Sequence, residues 1–468
     1  MSEKNNKKGK LTEGNVVRTL LVLTLPMILA MIGMLSFNLI DTYFVGQLGT
    51  DQLAAISYTF PITYIVTALA LGIGTGASAI VSNAIGAGDQ KKATRVSSDS
   101  LMLGVVIVGI FLIAGMLTID PLFRALGADG HVLSLIKDYM NIWYPGIIFV
   151  VIPMVGNSLI RATGDTKTPS MVMMVAVLAN LILDPILIFG FGPIPAFGIK
   201  GAAIATVASR AITLVFAVWI LYEREKIVSF AMPALKEVWA SWKSVLYIGL
   251  PSAGTSLIVP IGTSVVISVV AVYGHEAVAG FGVASRIEAL SLTVIMALGS
   301  VLGPFIGQNL GAGKIDRVIK SVDVSIIFGM IWGVVIAIVL AIFGRPIGAI
   351  FNDDPLVINV INDYLWIVPF TYGLQSLIML TVVAFNVLHK PFYGAAIGLL
   401  RMLVIYVPLA YLGSHLFGLW GIFAASAIAN ITSGVIAYWW IKKYLSKKKN
   451  EAAEERDFDE NSSLAVAD

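Results

Sequence analysis

The sequence contains no cysteine, so no disulfide, thiolate metal site or cysteine nucleophile can be built from it. Charge is scarce too: Asp, Glu, Lys and Arg make up 13% of the 468 residues, against about 25% in soluble domains. The four histidines, His131, His275, His389 and His415, lie far apart and offer no metal-ligand spacing. Nucleotide loops are missing. Gly307-Gln-Asn-Leu-Gly-Ala-Gly313-Lys314 has the wrong glycine spacing, and Ile315 stands where a P-loop needs Ser or Thr. No Asp-rich diphosphate motif occurs either. The net charge of +3 gives no reason to expect a nucleic acid partner. What is abundant is apolar: 57% of residues are hydrophobic, and the mean hydropathy is +0.88. So few charges cannot coat a soluble surface over so much apolar mass, and lipid is the expected solvent.

Apolar runs of about 20 residues begin near Val16 and recur along the chain. The predicted spans are 16–45, 52–82, 96–119, 132–157, 169–190, 198–222, 243–272, 277–304, 321–344, 357–386, 391–414 and 418–441. The first run follows Lys4, Lys7, Lys8 and Lys10 but is about twice the length of a signal-peptide core, so it is expected to remain as a membrane helix. With the N-terminus placed in the cytoplasm, 24 of the 31 Lys+Arg fall on the cytoplasmic side and three on the other. That asymmetry predicts cytoplasmic termini.

The two halves repeat. At an offset of 225 residues Pro26 matches Pro251, Gly49 matches Gly274, and Asp138-Tyr139 matches Asp363-Tyr364. Six spans per copy is even, so the copies share one orientation, a known transporter plan. The expected fold is an all-α integral membrane protein with twelve transmembrane helices, in two six-helix lobes related by pseudo-twofold symmetry about a cleft. The expected segments are a tail at 1–15, an N-terminal lobe at 16–222, a linker at 223–242, a C-terminal lobe at 243–445 and a disordered tail at 446–468. Gly72-Ile-Gly-Thr-Gly76 falls inside a span, where small residues serve helix packing.

Ionisable residues inside spans carry the functional expectation, because each costs ~2.5–3.5 kcal/mol to insert. Asp41 in the first span and Asp184 in the fifth both sit roughly 8–9 Å below the outer end of their helices. Asn180 lies one turn before Asp184, and Tyr139 and Thr206 come from neighbouring spans at the same level. Two close carboxylates in a low dielectric cannot both stay ionised cheaply, so the pair shares a proton or holds a cation. In the second half Val266 and Val407 replace the two acids, while Tyr364 and Ser426 keep the hydroxyls. An ion site confined to one half explains that difference; packing does not. Other intramembrane charges are Arg210, Arg286, Glu288 and Arg401, for which an interhelical ion pair such as Glu288–Arg401 is the plainest expectation. Asn157 and Arg161 are placed to line an inner vestibule.

Asp41-Thr-Tyr-Phe-Val-Gly-Gln-Leu-Gly49, Arg161-Ala-Thr-Gly-Asp-Thr-Lys-Thr-Pro169 and Asn180-Leu-Ile-Leu-Asp184-Pro185 resemble the multidrug and toxic compound extrusion (MATE) family. Ala284-Ser-Arg-Ile-Glu288 is similar to its DinF-type branch. The resemblance covers all twelve spans and implies cation-coupled antiport of amphiphilic, mostly cationic drugs or toxins, with a proton or sodium ion coupled and no cofactor. It carries the coupling role to Asp41, Asp184, Asn180, Tyr139 and Thr206, with any sodium ion at Asp41 and Asp184. Candidate cavity-lining residues are Asn38, Asn157, Arg286 and Glu288. The NorM-type branch also uses acids in spans 7 and 10, which are missing from Leu250–Ile261 and Val368–Leu380. A monomer in a prokaryotic inner membrane, with no enzymatic activity, is the matching expectation. The alternative is a lipid-linked saccharide flippase of the related superfamily, whose strongly cationic cavity the scattered arginines do not supply.

Overall fold

The computed structural model describes residues 9–229 and 234–465, without the side chains of Asn38 and of residues 455–465. The described residues are helical apart from their turns and one isolated bridge, Phe191 to Ile194. The helices are α1 (Val16–Gly46), α2 (Thr50–Gly86), α3 (Gln90–Ala125), α4 (Gly130–Gly146), α5 (Ile148–Ala162), α6 (Lys167–Phe189) and α7 (Ile199–Trp219). There follow α8 (Leu235–Val270), α9 (His275–Gly311), α10 (Ile315–Phe351), α11 (Pro355–Ile367), α12 (Tyr372–Val387), α13 (Pro391–Leu399) and α14 (Val407–Ala465).

Fourteen helices make twelve spans because three spans are broken and one helix holds two passes. The α4–α5 pair forms one span bent by 43° just after Pro145, as proline removes a ladder hydrogen bond. A tight 3₁₀ stretch, Val368–Thr371, joins α11 to α12 around Pro369. A π-helical stretch, Leu400–Tyr406, joins α13 to α14. Within α14, Gly418 has φ 63° and ψ −143°, outside helical space, and separates the last two passes. A Cβ on Gly413 would lie 2.5 Å from the Gly421 carbonyl oxygen, so glycine allows the chain to fold back this tightly.

The chain divides into two compact units. The first holds Leu23–Ile85 and Asp89–Ala253; the second holds the described residues up to Val22, Gly86–Gly88 and those from Gly254 onward. The expected boundary at 243 falls inside α8, which starts at Leu235. Its first turns pack on α2 through glycine: a Cβ on Gly76 would meet the Val245 carbonyl oxygen at 2.3 Å, and one on Gly72 the Gly249 carbonyl oxygen at 2.4 Å. Without a hydrophobic force between helices in lipid, such backbone approach is what makes dispersion contacts dense. Hence residues 243–253 group with the first unit.

The second unit has an aromatic core in which Phe281 stacks on Phe423 at 6.5 Å and Tyr364 meets Phe423 edge-on at 5.2 Å. Residues ahead of α1 also belong here, because the turn between α9 and α10 grips them. Leu11 N–H donates to Gln308 Oε1 at 3.0 Å, and Asn309 Nδ2 donates to the Leu11 carbonyl at 3.1 Å. Lys314 Nζ donates to the Thr12 carbonyl at 2.9 Å. Arg317 donates to the carbonyls of Leu11, Glu13 and Gly14. At the other end, the stretch after Leu445 that was expected to be disordered continues as helix to Ala465. It has no Gly or Pro, and Glu451 pairs with Lys447 and Lys448 one turn back.

Candidate cation-coupling site

The site is built from α4, α6, α7 and the part of α1 after Val22, all within the first unit. Asn180 and Asp184 are one turn apart on α6, and both are fully buried. Asn180 Nδ2 donates to Asp184 Oδ1 at 3.0 Å, which leaves Asp184 Oδ2 buried without a hydrogen-bond partner. Asp41 on α1 is close enough to act electrostatically on Asp184. Its Oδ1 is also buried and unpartnered. Tyr139, 5% exposed, comes in from α4 beside both carboxylates. Thr206 on α7 lies against Asp41, and its hydroxyl has no partner in hydrogen-bonding geometry. The structure thus brings together the five residues singled out from the sequence as a coupling cluster.

Four oxygens here are buried and unsatisfied: Asp41 Oδ1, Asp184 Oδ2, Asn180 Oδ1 and Thr206 Oγ1. Buried acceptors normally find donors, because an unpaired one costs about 1–3 kcal/mol. Three of these are acceptors without a donor, and the fourth, the Thr206 hydroxyl, can both donate and accept; the set suits a proton or a cation. Among the described residues no group of three or more His, Asp or Glu side chains forms.

Arg210 is a neighbour that the sequence did not place in the cluster. It sits one turn after Thr206 on α7, its guanidinium stacks 4.5 Å from the centroid of the Phe37 ring, and it acts electrostatically on Asp41. The signal was present: residues 206 and 210 share a helix face.

The other sequence-predicted residues are dispersed. Asn157, 7% exposed on α5, has an unpartnered Oδ1, and on the next turn Arg161 donates to Ser158 Oγ at 2.8 Å. Arg286 is exposed on α9. The side chain of Asn38 lies outside the described residues. The expected Glu288–Arg401 ion pair is not formed: Glu288 accepts instead from the Tyr364 hydroxyl and from Gln375 Nε2, the latter at 2.8 Å. Hydropathy places both charges in spans but says nothing of which way each helix is rotated.

Twelve helical spans from a duplicated half, with a buried acid pair in one copy, define a membrane transporter of the secondary class. The MatE family model matches residues 26–186 and 251–412, one match in each half, and the chain belongs to this family of MATE transporters. It is similar to the FAD transporter of Shewanella oneidensis, at 37% identity over 93% of this chain and 97% of that protein. The multidrug export protein MepA of Staphylococcus haemolyticus is 27% identical over 91% of this chain and 93% of its own length. The fold superposes on the Vibrio cholerae MATE transporter VcmN in its bent form with a TM-score of 0.88, at 30% identity, covering 93% and 98% of the two chains. The chain is a transporter of small molecules and not an enzyme.

Proposed function

We propose that the protein exports small molecules by cation-coupled antiport, with Asp41 and Asp184 carrying the coupling ion. The observation that supports this most is the set of four buried, unpartnered oxygens on α1, α6 and α7. Asn180 and Tyr139 orient the two carboxylates, and Thr206 completes the oxygen set. Charge neutralisation at this pair makes the occupied and empty states differ in electrostatic energy, which is what couples ion movement to a conformational exchange. Amphiphilic cations are the proposed substrates, in line with the multidrug export protein MepA.

A second substrate reading has its own support: the FAD transporter of Shewanella oneidensis is 37% identical to this chain, whereas MepA of Staphylococcus haemolyticus is 27% identical. Inside-out vesicles containing the full chain separate the two. Ethidium and FAD are offered in turn, with a pH gradient or a sodium gradient imposed. Uptake of either that collapses with the gradient and in Asp41→Asn supports antiport; uptake that follows ATP alone overturns it.

A further inference from the structure

The last pass of α14, in the second unit, carries an exposed stripe that changes character along its length. Ile428, Ile431, Val435 and Trp439 are all exposed, and their spacing of three or four residues puts them on one helix face. From Gly418, where the helix breaks, to Trp439 the pass rises roughly 32 Å at 1.5 Å per residue. That matches the ~30 Å thickness of a hydrocarbon core, so Trp439 marks its edge. The same four-residue step then reaches Lys443 and Lys447, both exposed. Lys443 stands roughly 6 Å beyond Trp439, at the depth of a phospholipid headgroup.

The lysines at this end sort by side. Lys442 Nζ lies 2.7 Å from Asp323 and Lys449 Nζ 3.4 Å from Asp316, both acids on α10. Lys448 meets Glu451 at 3.3 Å, and Lys447 meets the same carboxylate at 3.8 Å in solvent. Lys443 makes no ion pair among the described residues; its Nζ sits 4.8 Å from the centroid of the Trp439 ring. The charges facing α10 are thus neutralised within the chain, and the one on the apolar stripe is left over. The tryptophan N–H groups show the same split. Trp242, Trp332 and Trp420 donate to Asp99, Ser291 and Asp363, whereas Trp439 has no acceptor among the described residues. Alongside, the turn before α13 is seated on α14: the Tyr393 ring packs edge-on against Trp440 at 5.4 Å and stacks on Phe385 at 5.3 Å. That turn adds the exposed Lys390 to the same end.

We propose that this end of α14 binds one anionic phospholipid. Lys443 holds its phosphate, the Trp439 N–H donates to the ester region, and an acyl chain lies along Val435, Ile431 and Ile428. A zwitterionic headgroup brings its own cation and leaves less for the ammonium to neutralise; a headgroup of net negative charge does not. The apolar stripe selects lipid over a free anion, because a soluble phosphate would meet the lysines and leave Ile428 to Val435 unused. Trp439 suits the boundary for the same reason that tryptophan collects at membrane interfaces: its ring is apolar and its N–H needs an acceptor. Lys390 and Lys447 add positive charge around the headgroup without being required to touch it. None of these residues belongs to the coupling cluster, so the inference stands apart from the antiport reading.

Native mass spectrometry of the full chain, titrated with dioleoylphosphatidylglycerol or dioleoylphosphatidylcholine, tests this. The phosphatidylglycerol adduct should form more tightly. Lys443→Gln should weaken it about fivefold, the usual contribution of one lysine at an anionic surface, and leave the phosphatidylcholine adduct unchanged. Lys236→Gln removes an equally exposed lysine from the linker and should change neither. A second measurement locates the lipid: bromine-labelled phosphatidylglycerol should quench the tryptophan fluorescence of the parent more than that of Trp439→Phe. This arm stands even if Lys443→Gln is poorly produced. Equal affinity for the two lipids overturns the proposal, as does a loss in Lys236→Gln as large as that in Lys443→Gln, which would mean diffuse surface charge. Displacement of the lipid by inorganic phosphate would mark a free-anion site, and a dimer that excludes lipid would give the stripe to a second copy of the chain; either result also overturns it.

Discussion

Asp184 has one oxygen held by Asn180 and the other free, so a substitution that keeps its shape removes charge and little else. Asp41→Asn and Asp184→Asn are therefore expected to fold and reach the membrane while coupled efflux falls to background; gradient-driven dye efflux and size-exclusion of the purified variants check both halves of that statement. Asn180→Ala should act more mildly, since a hydrogen bond to a charged group is worth about 1.5–3 kcal/mol, or roughly ten- to hundredfold in ion affinity. Val266→Asp should not rescue Asp41→Asn, because Val407 supplies no second acid. A pH effect with a definite sign follows from the same pair. Protonation removes negative charge, so affinity for a cationic dye should decrease as external pH falls. That slope should flatten in Asp41→Asn, and identical curves for the two proteins would exclude Asp41 as the coupling group.

At several glycines one helix packs directly on the backbone of another, and this sets where substitutions are tolerated. Gly76→Leu would drive a side chain into the Val245 carbonyl and should leave little folded protein in a thermal-stability assay. Gly109 has nothing within 4 Å of a built Cβ, so Gly109→Ala should melt with the parent and serves as the control. The segment Leu11–Gly14 is held differently, its backbone carbonyls accepting hydrogen bonds from the side chains of Lys314 and Arg317. Arg317→Ala removes three of these bonds at once. Faster proteolysis ahead of α1, with the spans intact, is the expected readout.

For the molecule as a whole, membrane orientation is the property with the cleanest test. Reporters fused after Lys91, Lys236 and Lys390 should read cytoplasmic, and one after Asn352 should read external, as the basic residues demand. An external signal at Lys236 would break the six-plus-six arrangement. Cells that lack their own pumps should accumulate less ethidium when they make this protein, and an uncoupler should restore the dye.

Composition alone determined the solvent, and periodic interruption by Gly and Pro determined the spans, because burial in lipid is a local demand that each run of about 20 residues must meet by itself. The repeat was legible for the same reason: matched positions such as Tyr139 and Tyr364 need no three-dimensional knowledge. Depth counting at 1.5 Å per residue also placed Asp41, Asp184 and their three neighbours at one level. Level is not rotation, however. Which face each helix turns inward depends on all of its neighbours at once. Only the tertiary structure decided that Glu288 bonds to Tyr364 and Gln375 rather than pairing with Arg401. The grip of Arg317 on residues ahead of α1 had no sequence signal, since its acceptors are backbone carbonyls that every residue carries. Side-chain polarity can be read along a chain; the partner of a hydrogen bond becomes known only when the helices have packed.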